Sequence, residues 1–201
     1  LIASVQQVMD QAFQGIAASV GNLGATQGRD AIRRVFDSTF FLVQWLYGFA
    51  AVCLYELLNP FVELSVGIRY LFPGSIVLML CINFFINGMR RATLVFRDSL
   101  GLFWFDRYKS VAEALINLAA SILLVMRVGT IGVFLGTFIS TAATSAWVEP
   151  YVLYKYQLTT SCRPYFTHYA VYTAVVGAAW FVTDKICGLV SGSALPLVIL
   201  R

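Results

Sequence analysis

The stretch Ser75–Val95, SIVLMLCINFFINGMRRATLV, decides the fold class of this chain. Its length matches the roughly 20 mostly apolar residues that an α-helix needs to cross a bilayer. Apolar and polar residues do not alternate along it, as they do in the strands of membrane β-barrels. The stretch therefore predicts a membrane-spanning α-helix.

The rest of the chain has the same apolar character. Of its 201 residues, 59% are hydrophobic and 12% are charged, and the mean hydropathy is +0.77. Soluble domains carry about 25% charged residues, and a chain of this length could not keep so much apolar surface away from water. We therefore predict an all-α integral membrane protein, a helical bundle of about six transmembrane helices. The other predicted spans are Leu1–Ala25, Thr39–Leu58, Val111–Met126, Ile131–Leu153 and Tyr165–Val182.

Both ends of the sequence resemble the interior of a longer one. The first residue is Leu1 rather than Met, and Ser193–Arg201 has the composition of the start of another span. We expect residues 1–201 to form a single transmembrane domain that is a fragment of a longer protein.

Polar segments between the spans predict loops, and their basic residues are unequally distributed. The clearest loops are Gln27–Ser38, the helix end at Asn59–Pro60, and Arg97–Ser110. Linkers after the first, third and fifth spans contain eight Lys and Arg, and those after the second, fourth and sixth contain three. Because cytoplasmic loops are enriched in these residues, we predict that the first span runs from outside to inside.

Two predicted spans carry stripes of polar side chains. In the first span three glutamines share one helical face and an aspartate lies at its edge; in the third span the polar residues recur at helical spacing. The candidate site residues are Gln7, Asp10, Gln11, Gln14, Asn83, Asn87, Arg90 and Arg91. Charged groups inside a membrane are costly and usually face a cavity or a partner, so the stripes predict a hydrophilic cavity within the bundle.

Each stripe has two interpretations, and the sequence leaves both open. Arg90, with Arg91, would hold a phosphate or pyrophosphate, because guanidinium groups match those oxygens. The amides of the stripes would then bind sugar hydroxyls. Alternatively, both arginines extend to the headgroups, and the glutamines join neighbouring helices.

Three further acids are either structural groups or sites for a coupling ion or proton, and the sequence does not choose between these roles. We expect Glu56 at the outer interface, Glu113 at the N-terminus of the fourth span, where the helix dipole favours it, and Glu149 close to Lys155. No residue pattern typical of a metal site, a nucleophile with its base, or a phosphate-binding glycine loop occurs in the sequence. We therefore expect no enzyme activity, no bound cofactor and no nucleic-acid partner.

Five segments, in this order, carry a resemblance to a known family. They are SVGNL at Ser19–Leu23, NFFINGMR at Asn83–Arg90, GLFWFDRY at Gly101–Tyr108, GVFLGT at Gly132–Thr137, and WVEPYVLYK at Trp147–Lys155. Together they resemble the Wzx-type oligosaccharide flippases of the polysaccharide transport family, in the MOP superfamily. The resemblance covers nearly the whole chain and implies the C-terminal lobe of a two-lobed, MATE-like transporter.

The resemblance implies a function as well as a fold. Such a protein moves undecaprenyl-pyrophosphate-linked oligosaccharide units across the bacterial cytoplasmic membrane, by alternating access, for the synthesis of O-antigen, capsule or exopolysaccharide. The sequence does not show whether a proton or a sodium gradient drives the cycle. Arg90 is the position that best fits the pyrophosphate. The implied partners are the lipid-linked oligosaccharide, membrane lipids and other polysaccharide assembly proteins.

Three other functions remain in competition at this point. A MATE-like multidrug or cation antiporter would prefer acidic and aromatic cavity residues, and the arginines count against it. A membrane-embedded polysaccharide polymerase or acyltransferase would need a large outer loop or a reactive cluster, and the outer linkers are short. A scaffold without transport activity would not need the polar stripes.

Overall fold

The protein is helical through most of the part that the structure describes. A computed structural model describes residues 1–26 and 28–191, and for residues 14, 23–26 and 189–191 it describes the backbone only. Short 3-10 helices at Ile68–Tyr70 and Leu102–Asp106 and a π-helical turn at Leu153–Leu158 join longer elements. The α-helices are α1 (Ile2–Thr26), α2 (Arg29–Val66), α3 (Gly74–Ser99), α4 (Lys109–Val128), α5 (Ile131–Ala143), α6 (Ser145–Val152) and α7 (Arg163–Ser191).

Five helical segments in the described residues are long and apolar enough to cross a membrane. They are Arg29–Val66, Gly74–Ser99, Lys109–Val128, Ile131–Leu158 and Arg163–Gly188. These segments contain the second to sixth predicted spans, so the all-α membrane class is supported. The first predicted span also forms a helix, α1, but its glutamines and Asp10 lower its hydropathy and it is not one of the five. The total of six spans stays a prediction.

Helix α2 shows that the predicted loop at Gln27–Ser38 is wrong beyond Gly28. The helix begins at Arg29 and continues for 38 residues, because neither Gly nor Pro interrupts the sequence before Gly48. Arg33 and Asp37 form an ion pair of 3.9 Å one turn apart, a spacing that supports exposed helices. At 1.5 Å per residue α2 is about 57 Å long, well beyond the roughly 30 Å of a hydrocarbon core.

The predicted helix end at Asn59–Pro60 is also wrong. Helix α2 continues through Pro60 to Val66, since a proline removes one backbone hydrogen bond and tertiary contacts can compensate for it. Asn59 supplies such contacts: its Nδ2 donates to the Phe72 carbonyl (2.9 Å), and the Phe72 N–H donates to its Oδ1 (3.1 Å). Gly67, with φ of 101°, ends the helix.

The fifth predicted span is interrupted rather than continuous. Helices α5 and α6 meet at Thr144, whose φ and ψ are −124° and −79°. The hydroxyl of Thr144 donates to the Ser140 carbonyl at 2.6 Å, a bond of the kind that bends helices. Pro150 then lies inside α6, so the segment approaches the end of the bundle as a broken helix.

The helices alternate in direction, as short linkers between spans require. In α2 and α3, Phe36 contacts Phe96 and Tyr47 contacts Phe84, which makes the two helices antiparallel. Helix α1 runs in the same direction as α3, because Asp10 contacts Arg91 and the Ser99 hydroxyl donates to the Ala17 carbonyl further along.

The basic linkers come together at one end of the bundle. Arg29, at the start of α2, donates to the Thr159 hydroxyl near the start of α7 (3.1 Å). The rings of Phe105 and Tyr156 stack with centroids 3.9 Å apart, which joins the linker after α3 to the π-helical turn. We call this the basic end. It contains the eight basic residues of alternate linkers, Arg29, Arg33, Arg34, Arg97, Arg107, Lys109, Lys155 and Arg163.

Helices α4 and α5 pack closely at two glycines. A Cβ atom on Gly132 would lie 2.5 Å from the carbonyl carbon of Leu124, and one on Gly136 would lie 2.2 Å from the Ser121 hydroxyl. The absence of side chains at Gly132 and Gly136 therefore lets the two helices approach closely. Gly129 instead has φ of 72° in the turn between the two helices.

Candidate functional site

Arg90 lies inside the bundle near its basic end and is fixed by Glu149. Its Nε donates to Glu149 Oε2 (3.1 Å) and its Nη2 to Glu149 Oε1 (2.7 Å). This two-bond geometry between guanidinium and carboxylate is the strongest form of such a pair. The Arg90 side chain is 14% exposed and that of Glu149 is fully buried. Arg90 therefore does not extend to the headgroups.

Glu113, on α4, forms the other side of the Arg90 site. Arg90 Nη1 donates to Glu113 Oε1 (3.3 Å) and to Asn87 Oδ1 (3.2 Å). The hydroxyls of Thr141 and Ser145 donate to the same carboxylate, at 3.1 and 2.6 Å. Glu113 thus connects α4 with α3, α5 and α6, a larger role than the helix-terminal one predicted for it.

Lys109 extends the cluster toward the linker after α3. Its ammonium group donates to Glu149 and lies 3.5 Å from Asp106, which Arg97 also contacts at 2.7 Å. The Lys109 and Asp106 side chains are 6% and 3% exposed. The exposed Asp98 also pairs with Arg97, at 2.8 Å. We call the cluster without Asp98 the charged network. Its three cations and three carboxylates are Arg90, Arg97, Lys109, Asp106, Glu113 and Glu149.

Arg91 belongs to a different contact from its neighbour Arg90. It pairs with Asp10 of α1, and the Tyr47 hydroxyl donates to the other oxygen of that carboxylate at 3.0 Å. The side chains of Arg91 and Asp10 are 35% and 23% exposed. The guanidinium of this pair is therefore more accessible than that of Arg90, which is 14% exposed.

The two predicted stripes meet at this ion pair rather than along their whole length. Gln7 and Gln11 are exposed, on the face of α1 that carries Asp10, and the side chain of Gln14 lies outside the described part. Asn83 donates to the Phe134 carbonyl of α5 at 3.0 Å, and Asn87 belongs to the Arg90 site. Asn83 thus joins α3 to α5, whereas Asn87 accepts a hydrogen bond from Arg90 within α3.

An apolar groove of about 520 Å³ lies between α2, α3 and α7. Its walls include Tyr55, Phe85 and Trp180. Glu56 follows Tyr55 in α2, and its Oε1 is buried without a hydrogen-bond partner among the described residues. The groove suits an apolar molecule or acyl chain more than a sugar.

Sequence reasoning missed two members of the charged network and misplaced a third. Asp106 and Lys109 lie in the segment Arg97–Ser110, which the sequence predicts to be a loop, yet both side chains are buried. Their spacing of three residues was the available signal. Glu149 was expected beside Lys155, but it pairs with Arg90 and Lys109, because α6 directs it toward α3 and α4.

Comparisons of the chain with protein-family models, with curated proteins and with solved structures found no match. What the structure itself supports is the class: the described part of the chain is all-α and has five helices able to span a membrane. Within the described residues, groups of His, Cys, Asp and Glu suited to a metal ion do not occur.

Proposed function

We propose that the chain belongs to a transporter that moves undecaprenyl-pyrophosphate-linked oligosaccharide units across the bacterial cytoplasmic membrane. The motif resemblance supports this proposal, and so does the basic end, which provides the charge distribution of a cytoplasmic face. The observation that carries it is the Asp10–Arg91 pair, which is partly exposed beside the amides of Gln7 and Gln11.

The proposal assigns different roles to the two arginines. Arg91 is the phosphate ligand, because a pyrophosphate can displace Asp10 from an accessible guanidinium. Tyr47 keeps a hydrogen bond to the displaced carboxylate. Gln7 and Gln11 offer donors and acceptors that sugar hydroxyls can use. Arg90, in contrast, has its donors occupied by Glu149, Glu113 and Asn87, so it positions helices.

The charged network suits alternating access. It connects α3, α4 and α6 through buried ion pairs, and breaking such pairs one partner at a time is costly. These helices would therefore move together as one body, while the more exposed contact between α1 and α3 opens and closes around the headgroup. Arg91 then binds the headgroup in one state and Asp10 in the other.

The test uses the complete gene in a bacterium that lacks its own flippase, with surface polysaccharide as the readout. We expect the wild type to restore the polymer, Arg91→Gln to lose most of it, and Arg91→Lys to keep part of it. Arg127→Gln is the matched control, because Arg127 is an exposed cation at the end of α4 that lies away from the basic end. Blots of membrane fractions check that all variants are present at equal levels.

The outcomes test the role of Arg91 and the class of substrate separately. Full activity of Arg91→Gln at a normal protein level would show that Arg91 does not hold the pyrophosphate. Failure of the wild type with several different glycans would instead count against oligosaccharide transport itself.

Export of apolar cations is the second candidate, favoured by the apolar groove and by Glu56, a carboxylate that directly follows its wall residue Tyr55 in α2. Ethidium efflux from the same strain distinguishes it. If wild type but not Glu56→Gln exports ethidium while polysaccharide is not restored, this candidate replaces the first.

A further inference from the structure

A second, polar pocket opens at the basic end, outside the charged network and apart from Arg91. It has a volume of about 490 Å³ and lies between the π-helical turn and the start of α7. The side chains around it include Tyr151, Lys155, Thr159, Thr160 and Ser161. We call it the Lys155 pocket. The function proposed above makes no use of it.

Lys155 is a cation that only neutral groups hold in place. Its ammonium donates to the Tyr151 hydroxyl at 2.9 Å and lies 5.1 Å from the centre of that ring and 5.4 Å from the Tyr156 ring. Among the described residues, no carboxylate oxygen lies within 4.0 Å of it. Lys155 is exposed, so a ligand that enters the pocket can reach its uncompensated charge.

A second cation approaches the same pocket from α2. Arg29 donates from Nη1 to the Thr159 hydroxyl at 3.1 Å, and within the described ranges it too has no carboxylate within 4.0 Å. The nearby acids are Asp30, which is exposed, and Asp37, which pairs with Arg33. Two uncompensated cations beside hydroxyl donors are the recognition chemistry of a phosphate group.

The residues around the Lys155 pocket indicate which phosphate-containing molecule would be present there. Phe105 and Tyr156 stack beside the pocket, and the Arg107 guanidinium lies 4.1 Å above the Trp104 ring. Aromatic and basic residues at helix ends are typical of the membrane–water interface. There the acidic lipids of the cytoplasmic leaflet attract basic groups, and basic pockets between helices bind their headgroups.

We propose that the Lys155 pocket binds the headgroup of an acidic phospholipid. Lys155 and Arg29 contact its phosphate, and the hydroxyls of Thr160 and Ser161 contact its glycerol or other polar headgroup. The site is independent of the proposed transport function, because it shares no residue with the Asp10–Arg91 pair. It would bind a resident lipid of the membrane even if the transported substrate were of another class.

Lipid titrations of the purified protein in a neutral detergent test the proposal. Native mass spectrometry counts bound molecules of short-chain phosphatidylglycerol, short-chain phosphatidylcholine and inorganic phosphate. We expect phosphatidylglycerol to bind about tenfold more tightly than phosphatidylcholine and to weaken as salt screens the charges. If inorganic phosphate displaces the lipid at equal concentration, the pocket is a free-phosphate site and the lipid proposal is wrong.

Charge-removing variants localise the binding. Lys155→Gln and Arg29→Gln should each weaken phosphatidylglycerol binding about fivefold, the effect of one basic residue near a lipid headgroup. Lys185→Gln is the matched control, because Lys185 also lies over an aromatic ring, Phe181, at 5.5 Å, but toward the opposite end of the bundle. Equal binding by Lys155→Gln and wild type, or equal losses in Lys185→Gln and Lys155→Gln, would overturn the proposal.

Discussion

Glu149 accepts two hydrogen bonds from Arg90 and one from Lys109, and none of its side chain reaches solvent. Glu149→Ala would leave both cations buried with fewer partners, which typically costs about 3–5 kcal/mol. We therefore expect a clear fall in the melting temperature of the protein in detergent, measured by circular dichroism or by tryptophan fluorescence.

Two further variants show whether this cost arises from the unpaired charge. Glu63→Ala removes an exposed carboxylate near the end of α2 and should change the free energy of unfolding by less than about 0.5 kcal/mol. Arg90→Leu combined with Glu149→Leu should be less destabilised than the sum of the single changes, because neither partner stays behind. An additive result would mean that the pair makes no coupled contribution.

Arg90 and Arg91 illustrate what a sequence can reveal about a site and what it cannot. The sequence left both arginines with the same two interpretations, although adjacent residues of an α-helix point about 100° apart and here have different neighbours. It did not identify those neighbours, because Glu149 is separated from Arg90 by 59 positions and Asp10 from Arg91 by 81. Only the packing of helices decides which carboxylate meets which cation.

At the scale of single elements, the contact between α4 and α5 depends on Gly132. A Cβ atom there would lie 2.5 Å from two backbone atoms of Leu124 and Val125, and backbone atoms cannot move aside as a flexible side chain can. Gly132→Ala should destabilise the protein by roughly 1–3 kcal/mol, the usual cost of overpacking. Thermal unfolding in detergent measures the change.

Gly177 provides the matched control, since it lies within α7 and a Cβ atom there would contact nothing within 4 Å. Gly177→Ala should be neutral or should stabilise by up to about 1 kcal/mol, because alanine favours helix. Equal effects at both positions would show that the close approach of α4 and α5 does not limit stability.

Sequence patterns predicted the centres of these elements better than their ends. Hydropathy marks the apolar part of a helix, whereas α2 begins with the charged region Arg29–Asp37, which precedes that part. The break at Thr144 was missed for a different reason: its residues are apolar or small, and their composition fits a continuous span. Its cause is a local hydroxyl bond to Ser140, which a hydropathy pattern does not contain.

At the scale of the whole molecule, the basic end and the opposite end should be accessible from different sides of the membrane. Exposed positions for cysteine substitution, after removal of the native cysteines, are Asp30→Cys and Phe103→Cys at the basic end, and Glu63→Cys and Tyr70→Cys at the other. In intact cells a membrane-impermeant maleimide should label only the second pair. The first pair should react after permeabilisation, because positive loops stay inside.

The reverse labelling pattern would invert the orientation, and labelling of all four positions in intact cells would show that the helices between them do not cross the membrane. A blot against the chain confirms that each variant is present in the membrane fraction.

The charged network also constrains how this protein can change over generations. Its three cations and three carboxylates balance, and several of these side chains are almost completely buried. Loss of one charge leaves a net charge in a medium of low dielectric, whereas loss of a cation together with a carboxylate restores neutrality. Descendants of this chain should therefore alter these positions in compensating pairs, so that the network is inherited as a unit or replaced as one.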